Sequence, residues 1–334
     1  MADTAQTLST GSPAVDPAPE RRPASRPSLR FTRFAWITLV YGVAVILFGA
    51  VVRITDSGAG CGQHWPTCHG EIAHLPRSAK TAIELTHRAT SGLILLLVFG
   101  LVVSARRTFE RGHVARRAAV AALIFTLIEA LIGAVLVRYE LVGKDDSVAR
   151  AVVMSMHLVN TSLLTAAMAL AAWFSGARAR LSWRLGSRAK WLFGAGIAAT
   201  LLVSITGAVT ALGDTVRPPA SDAGLATQLA TARDFTAHFL NRLRVLHPLV
   251  AVVAAAYLFY LAPALAGRSG RTDASAWARL VLALIFVQVA AGVVNVLLSA
   301  PGWMQVVHLA LATWLWIALV LLGACAGFSE PQRR

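Results

Sequence analysis

Four histidines carry the pattern from which chemistry can be read. His87, His157, His247 and His308 sit in strongly apolar stretches, and the first two recur as the last two at offsets of 160 and 151 residues. An ionisable ring at membrane depth is costly and is read as functional, with a partner to be found. Neutral imidazole binds iron, copper and zinc, so ring type alone does not name a metal. A compact zinc or copper site gathers three or four ligands from His, Cys or carboxylate, and few other ligand types share the depth of these rings. Two histidines on separate helices suit the two axial positions of a haem held between apolar walls. Two such pairs imply two haems. A single hydrogen-bonded packing histidine would be ordinary, but four in matching places make packing alone a poor account.

The neighbours of these rings differ between the two halves. Glu84 lies three residues before His87, on the same helical face, while the repeat puts Arg244 at the equivalent position. A carboxylate beside one haem and none beside the other would separate chemistry from electron relay. Its plainer role is a surface partner for Arg88 or Lys80. Arg53, Arg88, Arg242 and Arg244 lie at helix mouths near the histidines and are candidates for holding haem propionates, against simple snorkelling. Glu129, in the middle of the third apolar stretch, aligns with Gln288 at an offset of 159 and is either polar contact between helices or part of a proton path.

Cys61 and Cys68 share a polar loop with His64, His69 and His74. On the outer side of a membrane, where disulfides persist, they are expected to form a bridge. The spacing does not match the C-x-x-C-H of covalent haem attachment. Zinc held by Cys61, His64, Cys68 and His69 is the competing use of the loop. Cys325 stands alone in the last apolar stretch and reads as a small packing residue.

The elements that must position these groups are membrane helices. The chain has 334 residues, 56% hydrophobic and 14% charged, whereas a soluble globule carries about 25% charged residues; mean hydropathy is +0.63. The net charge of +15 does not signal nucleic acid, because no basic stripe is interleaved with aromatics. Eight segments satisfy the bilayer length of about 20 residues: 34–54, 82–104, 117–137, 151–174, 191–213, 241–262, 277–298 and 304–327. Of the 31 Lys and Arg, 20 fall on one side of this scheme, which makes that side cytoplasmic with both termini on it. Residues 1–33, rich in Pro, Ala, Ser and Thr, are expected to be a disordered cytoplasmic tail. With no apolar core before Phe34, the first helix serves as its own insertion signal.

GAVVRITDS at Gly49 to Ser57 overlays GAVTALGDT at Gly207 to Thr215 without a gap, at an offset of 158, and Gly133 overlays Gly292. The expected fold is therefore all-α: two pseudo-symmetric four-helix bundles, 34–174 and 191–327, joined by a cytoplasmic linker at 175–190 and ending in a short tail at 328–334. Four helices per half insert both halves with the same orientation, so the cysteine loop lies on the outer face.

GAVVRITDSG, the WP-x-C-x-G end of the loop, E-x-x-H-R at Glu84 to Arg88 and the duplicated histidine pairs together resemble the haem A synthase family, over about residues 34–327. The resemblance implies a multi-pass enzyme of the bacterial cell membrane, open to homo-oligomer formation, that oxidises the C8 methyl of haem O to the formyl group of haem A, with water as oxygen source. It implies substrate haem O on His87 and His157, resident haem b on His247 and His308, Glu84 as the functional carboxylate, and Cys61 with Cys68 as the outer cysteine pair. It also implies a haem O synthase upstream and terminal oxidase assembly downstream. One departure is Pro248 after His247, where the first half has Arg88; proline removes a backbone donor and makes the depth of His247 the least secure. A dihaem quinol oxidoreductase would share the histidines but leave haem O unchanged. A transporter would favour broken helices near the midplane and give a colourless preparation, and a scaffold would leave the helix-mouth charges unexplained.

Overall fold

The computed structural model describes residues 28–72, 74–176, 182–183, 185–218, 230 and 238–329. Most of the expected N-terminal tail, the linker residues Arg178, Arg180 and Arg184, and the last five residues lie outside the described residues. The architecture is all-α, as the apolar segments predict. Its helices are α1 (Leu29–Ile54), α2 (Ala79–Thr108), α3 (Val114–Arg138), α4 (Val148–Trp173), α5 (Ser187–Val216), α6 (Phe239–Ser269), α7 (Thr272–Leu297) and α8 (Gly302–Gly327). All eight are long and apolar enough to cross a membrane, and the protein is a multi-pass integral membrane protein.

Several helices overrun their apolar segments, because hydropathy does not see the polar caps that start them. Ser28, Ser78 and Ser147 accept from the backbone N–H groups of Phe31, Thr81 and Arg150 at 3.3, 3.1 and 3.1 Å. The boundary expected at 34 is thus displaced: residues 29–33 belong to α1, and Phe31 packs edge-on against Phe109. Likewise α5 starts at Ser187 rather than 191, and Phe328–Ser329 pairs antiparallel with Ser182–Trp183 instead of trailing free as a tail. His113, outside the repeat, caps α3 through Nδ1 at 3.2 Å from Ala115 N and stacks on Phe109.

Within the first half, α1 packs on α2 and α4, α2 on α3, and α3 on α4; in the second, α5 packs on α6 and α8, α6 on α7 and α8, and α7 on α8. The two sets meet where α4 contacts α5 and α8, and α1 contacts α8. Helix α8 is accordingly the most enclosed, with Ile317, Leu319, Leu321 and Leu322 fully buried. Trp316 donates its indole N–H to the Ser162 carbonyl at 2.7 Å, tying α8 to α4. The outward faces keep large apolar side chains exposed, Leu131 at 62% and Phe286 at 77% among them, as a surface solvated by lipid requires.

Candidate functional site

All four repeat histidines lie within the first three turns of an even-numbered helix, so they gather at one end of the molecule. None is fully buried: each is half-buried. Glycines on the preceding helices make room for three of them. A Cβ on Gly49 would lie 3.2 Å from His87 Cε1, one on Gly207 would lie 2.9 Å from His247 Cε1, and one on Gly292 would lie 3.2 Å from His308 Cε1. The repeat is therefore a repeat of ring seats as well as of rings. Pro248 does not break it, since α6 runs through the proline and His247 still lies over Gly207.

In the second half the seats bring the two imidazoles to a centroid separation of 6.4 Å, with planes at 90°. An imidazole nitrogen binds a first-row metal at about 2.0 Å and sits about 1.1 Å from its ring centre, so two axial imidazoles on one iron stand about 6.2 Å apart. His247 Nδ1 is 3.1 Å from the Thr206 hydroxyl, which leaves Nε2 for a metal. His308 Nδ1 is buried with no partner, and its Nε2 lies 3.2 Å from the Gln288 amide nitrogen. The ring separation in the second half is close to that value. A haem bound there would be held by His247 and His308.

The first half is arranged differently. The ring beside His87 is Phe48, at 5.8 Å, and not His157. Around Gly133, the repeat partner of Gly292, nothing lies within 4 Å of a Cβ; His157 has turned toward Glu129, with Nδ1 3.3 Å from Oε1. Nδ1 of His87 and of His157 is buried without a formed hydrogen bond. His157, with Nδ1 toward Glu129, keeps Nε2 for a bound group, and His87 Nδ1 has no partner of its own, so the fit is one of donor chemistry rather than of a preset distance.

Glu84 is 3% exposed and locks the cysteine loop to α2. Its Oε2 accepts from Cys61 N at 2.7 Å, its Oε1 pairs with Arg88 Nη2, and Arg88 Nη1 donates to the carbonyls of His64 and Thr67 at 2.6 and 2.5 Å. The Cys61–Cys68 disulfide closes the loop that this pair grips. Lys80 is engaged elsewhere, with Asp56 at 2.6 Å. Arg53 reaches across to the other half, donating to Ala211 O at 2.5 Å, which is its own repeat position, and to Gln305 Oε1 at 3.0 Å. Arg244 Nε donates to Asp214 at 2.7 Å. Arg242 stands exposed near the start of α6.

Sequence reasoning passed over Thr206, although the alignment could have found it: Thr206 overlays Phe48, and each touches the first histidine of its half. It also passed over Asn160 and Thr161, which hold Glu129.

Three substitutions test this arrangement. Gly207→Ala puts a methyl 2.9 Å from His247 Cε1 and is expected to displace the ring and abolish the second-half haem absorbance, while Gly133→Ala leaves the spectrum unchanged. Cys61→Ser opens the loop and is expected to lower its stability by about 2–3 kcal/mol, read as a fall in unfolding temperature that reductant reproduces in the native protein.

A multi-pass helical bundle with histidines seated in matching places at one end defines the class: an all-helical membrane protein with paired ring sites between its helices. Residues 32–320 match the family model COX15-CtaA, cytochrome oxidase assembly protein, and the chain belongs to that family. It is 43% identical over 299 residues, 89% of this chain, to a protein of Thermus thermophilus named protoheme IX farnesyltransferase, covering 48% of that protein. It is 38% identical over 104 residues to the heme A synthase of Exiguobacterium sibiricum, covering 31% of this chain and 34% of that one. Over 115 residues it is 36% identical to the heme A synthase of Geobacillus thermodenitrificans, covering 34% and 35%. The chain thus spans about half the length of the Thermus relative, and the aligned parts of the two synthases are about a third of each.

Proposed function

We propose that this protein is a haem A synthase: it oxidises the C8 methyl of haem O, held by His87 and His157, to the formyl group of haem A, with haem b on His247 and His308. The observation that carries the reading is the 6.4 Å separation of the His247 and His308 rings over their glycine seats. The heme A synthase relatives support the same activity. The name of the Thermus relatives suggests prenyl transfer instead, but half of each lies outside the match.

Converting a methyl to a formyl group with water removes four protons and four electrons, the electrons passing one at a time to an external one-electron or quinone-type oxidant. Haem b supplies one-electron transfer when bound. The chain's own residues do the rest. His87 and His157 orient the porphyrin, and Glu84, one turn from His87, provides negative charge where the methyl carbon becomes positive and can take up a proton as water adds. Arg88 and the disulfide loop hold that carboxylate in place. The arginine distribution supports an outer-side position for the histidine end in a bacterial membrane, with both termini in the cytoplasm. The product would pass to terminal oxidase assembly, and the substrate would come from an enzyme that makes haem O.

The test is a redox difference spectrum with haem extraction after haem O is added to the purified protein. Formyl haem is expected from the native protein and not from His87→Ala or His157→Ala. Two haem signals with unchanged haem O would point to a dihaem electron relay, and a colourless preparation would sink both.

A further inference from the structure

Each half places one polar side chain of its third helix against the histidine of its fourth, and the two differ in kind. Glu129 on α3 approaches His157 Nδ1 at 3.3 Å, while its repeat partner Gln288 on α7 approaches His308 at Nε2, 3.2 Å away. The carboxylate is built in. Asn160 donates to its Oε2, and the Thr161 hydroxyl lies within hydrogen-bond reach of both its Oε1 and the His157 carbonyl, so the same turn of α4 carries the ring and the groups that steady its partner. At the offset that relates His157 to His308, the second half has Leu311 and Ala312, which donate nothing. Glu129 side-chain exposure is 20%, in the middle of a spanning helix, where a carboxylate is retained for a reason.

A metal-bound imidazole that gives its other N–H to a carboxylate is fixed in tautomer and becomes a stronger donor, which stabilises the oxidised iron. Gln288, a neutral amide at the other nitrogen of its ring, offers His308 no such acceptor at Nδ1. We propose that Glu129 is a positioning residue that directs Nε2 of His157 to the substrate iron and holds that iron at a lower reduction potential than the iron on His247 and His308. Two sites that look equivalent in the repeat would then differ electronically, so that the substrate ring is the poorer electron acceptor of the two and electrons leave it toward the second half. This rests on the haem reading given above.

The experiment uses the full-length protein loaded with ferric haem b in both halves and titrated potentiometrically, with each haem followed by absorption and by electron paramagnetic resonance. His157→Ala and His308→Ala assign the two signals. Glu129→Gln is expected to shift the redox equilibrium of the His157 signal at least tenfold toward the reduced form, about 59 mV upward for one electron, and to leave the His308 signal in place. Asn160→Leu, which keeps the carboxylate but removes its support, is expected to give a smaller upward shift. Unmoved midpoints in Glu129→Gln with both haems present would overturn the inference alone. A native protein whose first half takes up no haem would overturn the functional reading, and this inference with it.

Discussion

Glu84→Gln is expected to lower haem O conversion by at least about a hundredfold while leaving the haems and the disulfide loop in place. The amide keeps an oxygen for the Cys61 N–H, which Glu84 accepts at 2.7 Å, but carries no charge toward Arg88 or the reacting carbon. Glu84→Ala should do more. It deletes one member of an ion pair whose side chains are 3% and 11% exposed and leaves Arg88 facing two loop carbonyls without its counter-ion. Breaking a buried pair by deleting one member costs about 3–5 kcal/mol. The loop should then loosen, so that Cys61 and Cys68 become reducible at reductant concentrations that spare the native protein. Formyl haem yield and the rate of thiol labelling separate the two roles: a Gln variant that converts haem O at the native rate leaves Glu84 only its grip on the loop.

His247→Ala is expected to take the haem content from two per chain to one, with the surviving signal assigned to the first half. The pair works as a unit, since one iron would bridge rings whose centres are 6.4 Å apart. His308→Ala should therefore look the same, and the double variant should be no worse than either, a non-additivity expected of groups that share one ligand. Thr206→Val is the graded control. It keeps His247 and removes only the hydroxyl 3.1 Å from Nδ1, so affinity should fall by about 10–100-fold rather than vanish. Retention of both haems by His247→Ala, measured by extraction and difference spectroscopy, would falsify the second-half site.

Much of this protein is legible in its chain alone. Eight spans follow from the local density of apolar residues, and the all-α fold from the requirement that backbone groups in lipid be satisfied within each helix. The repeat relates Gly49 to Gly207, Gly133 to Gly292 and the histidines of the two halves, and the fold seats three of the rings on three of those glycines. Caps blurred the boundaries, because Ser28 and Ser78 start helices outside the apolar runs.

What the chain by itself could not say is which partner each ionisable group finds. Arg53 bonds a carbonyl 158 residues away, Glu84 turns to the cysteine loop 23 residues upstream, and His157 meets Glu129 on the neighbouring helix. Hydropathy and repeat spacing are properties of neighbouring residues and set how many helices form and at what depth their rings lie. Pairing depends on the rotation and approach of helices that are distant in sequence, where a few ångströms decide between an ion pair and none, and packing of the whole bundle is what determines those ångströms.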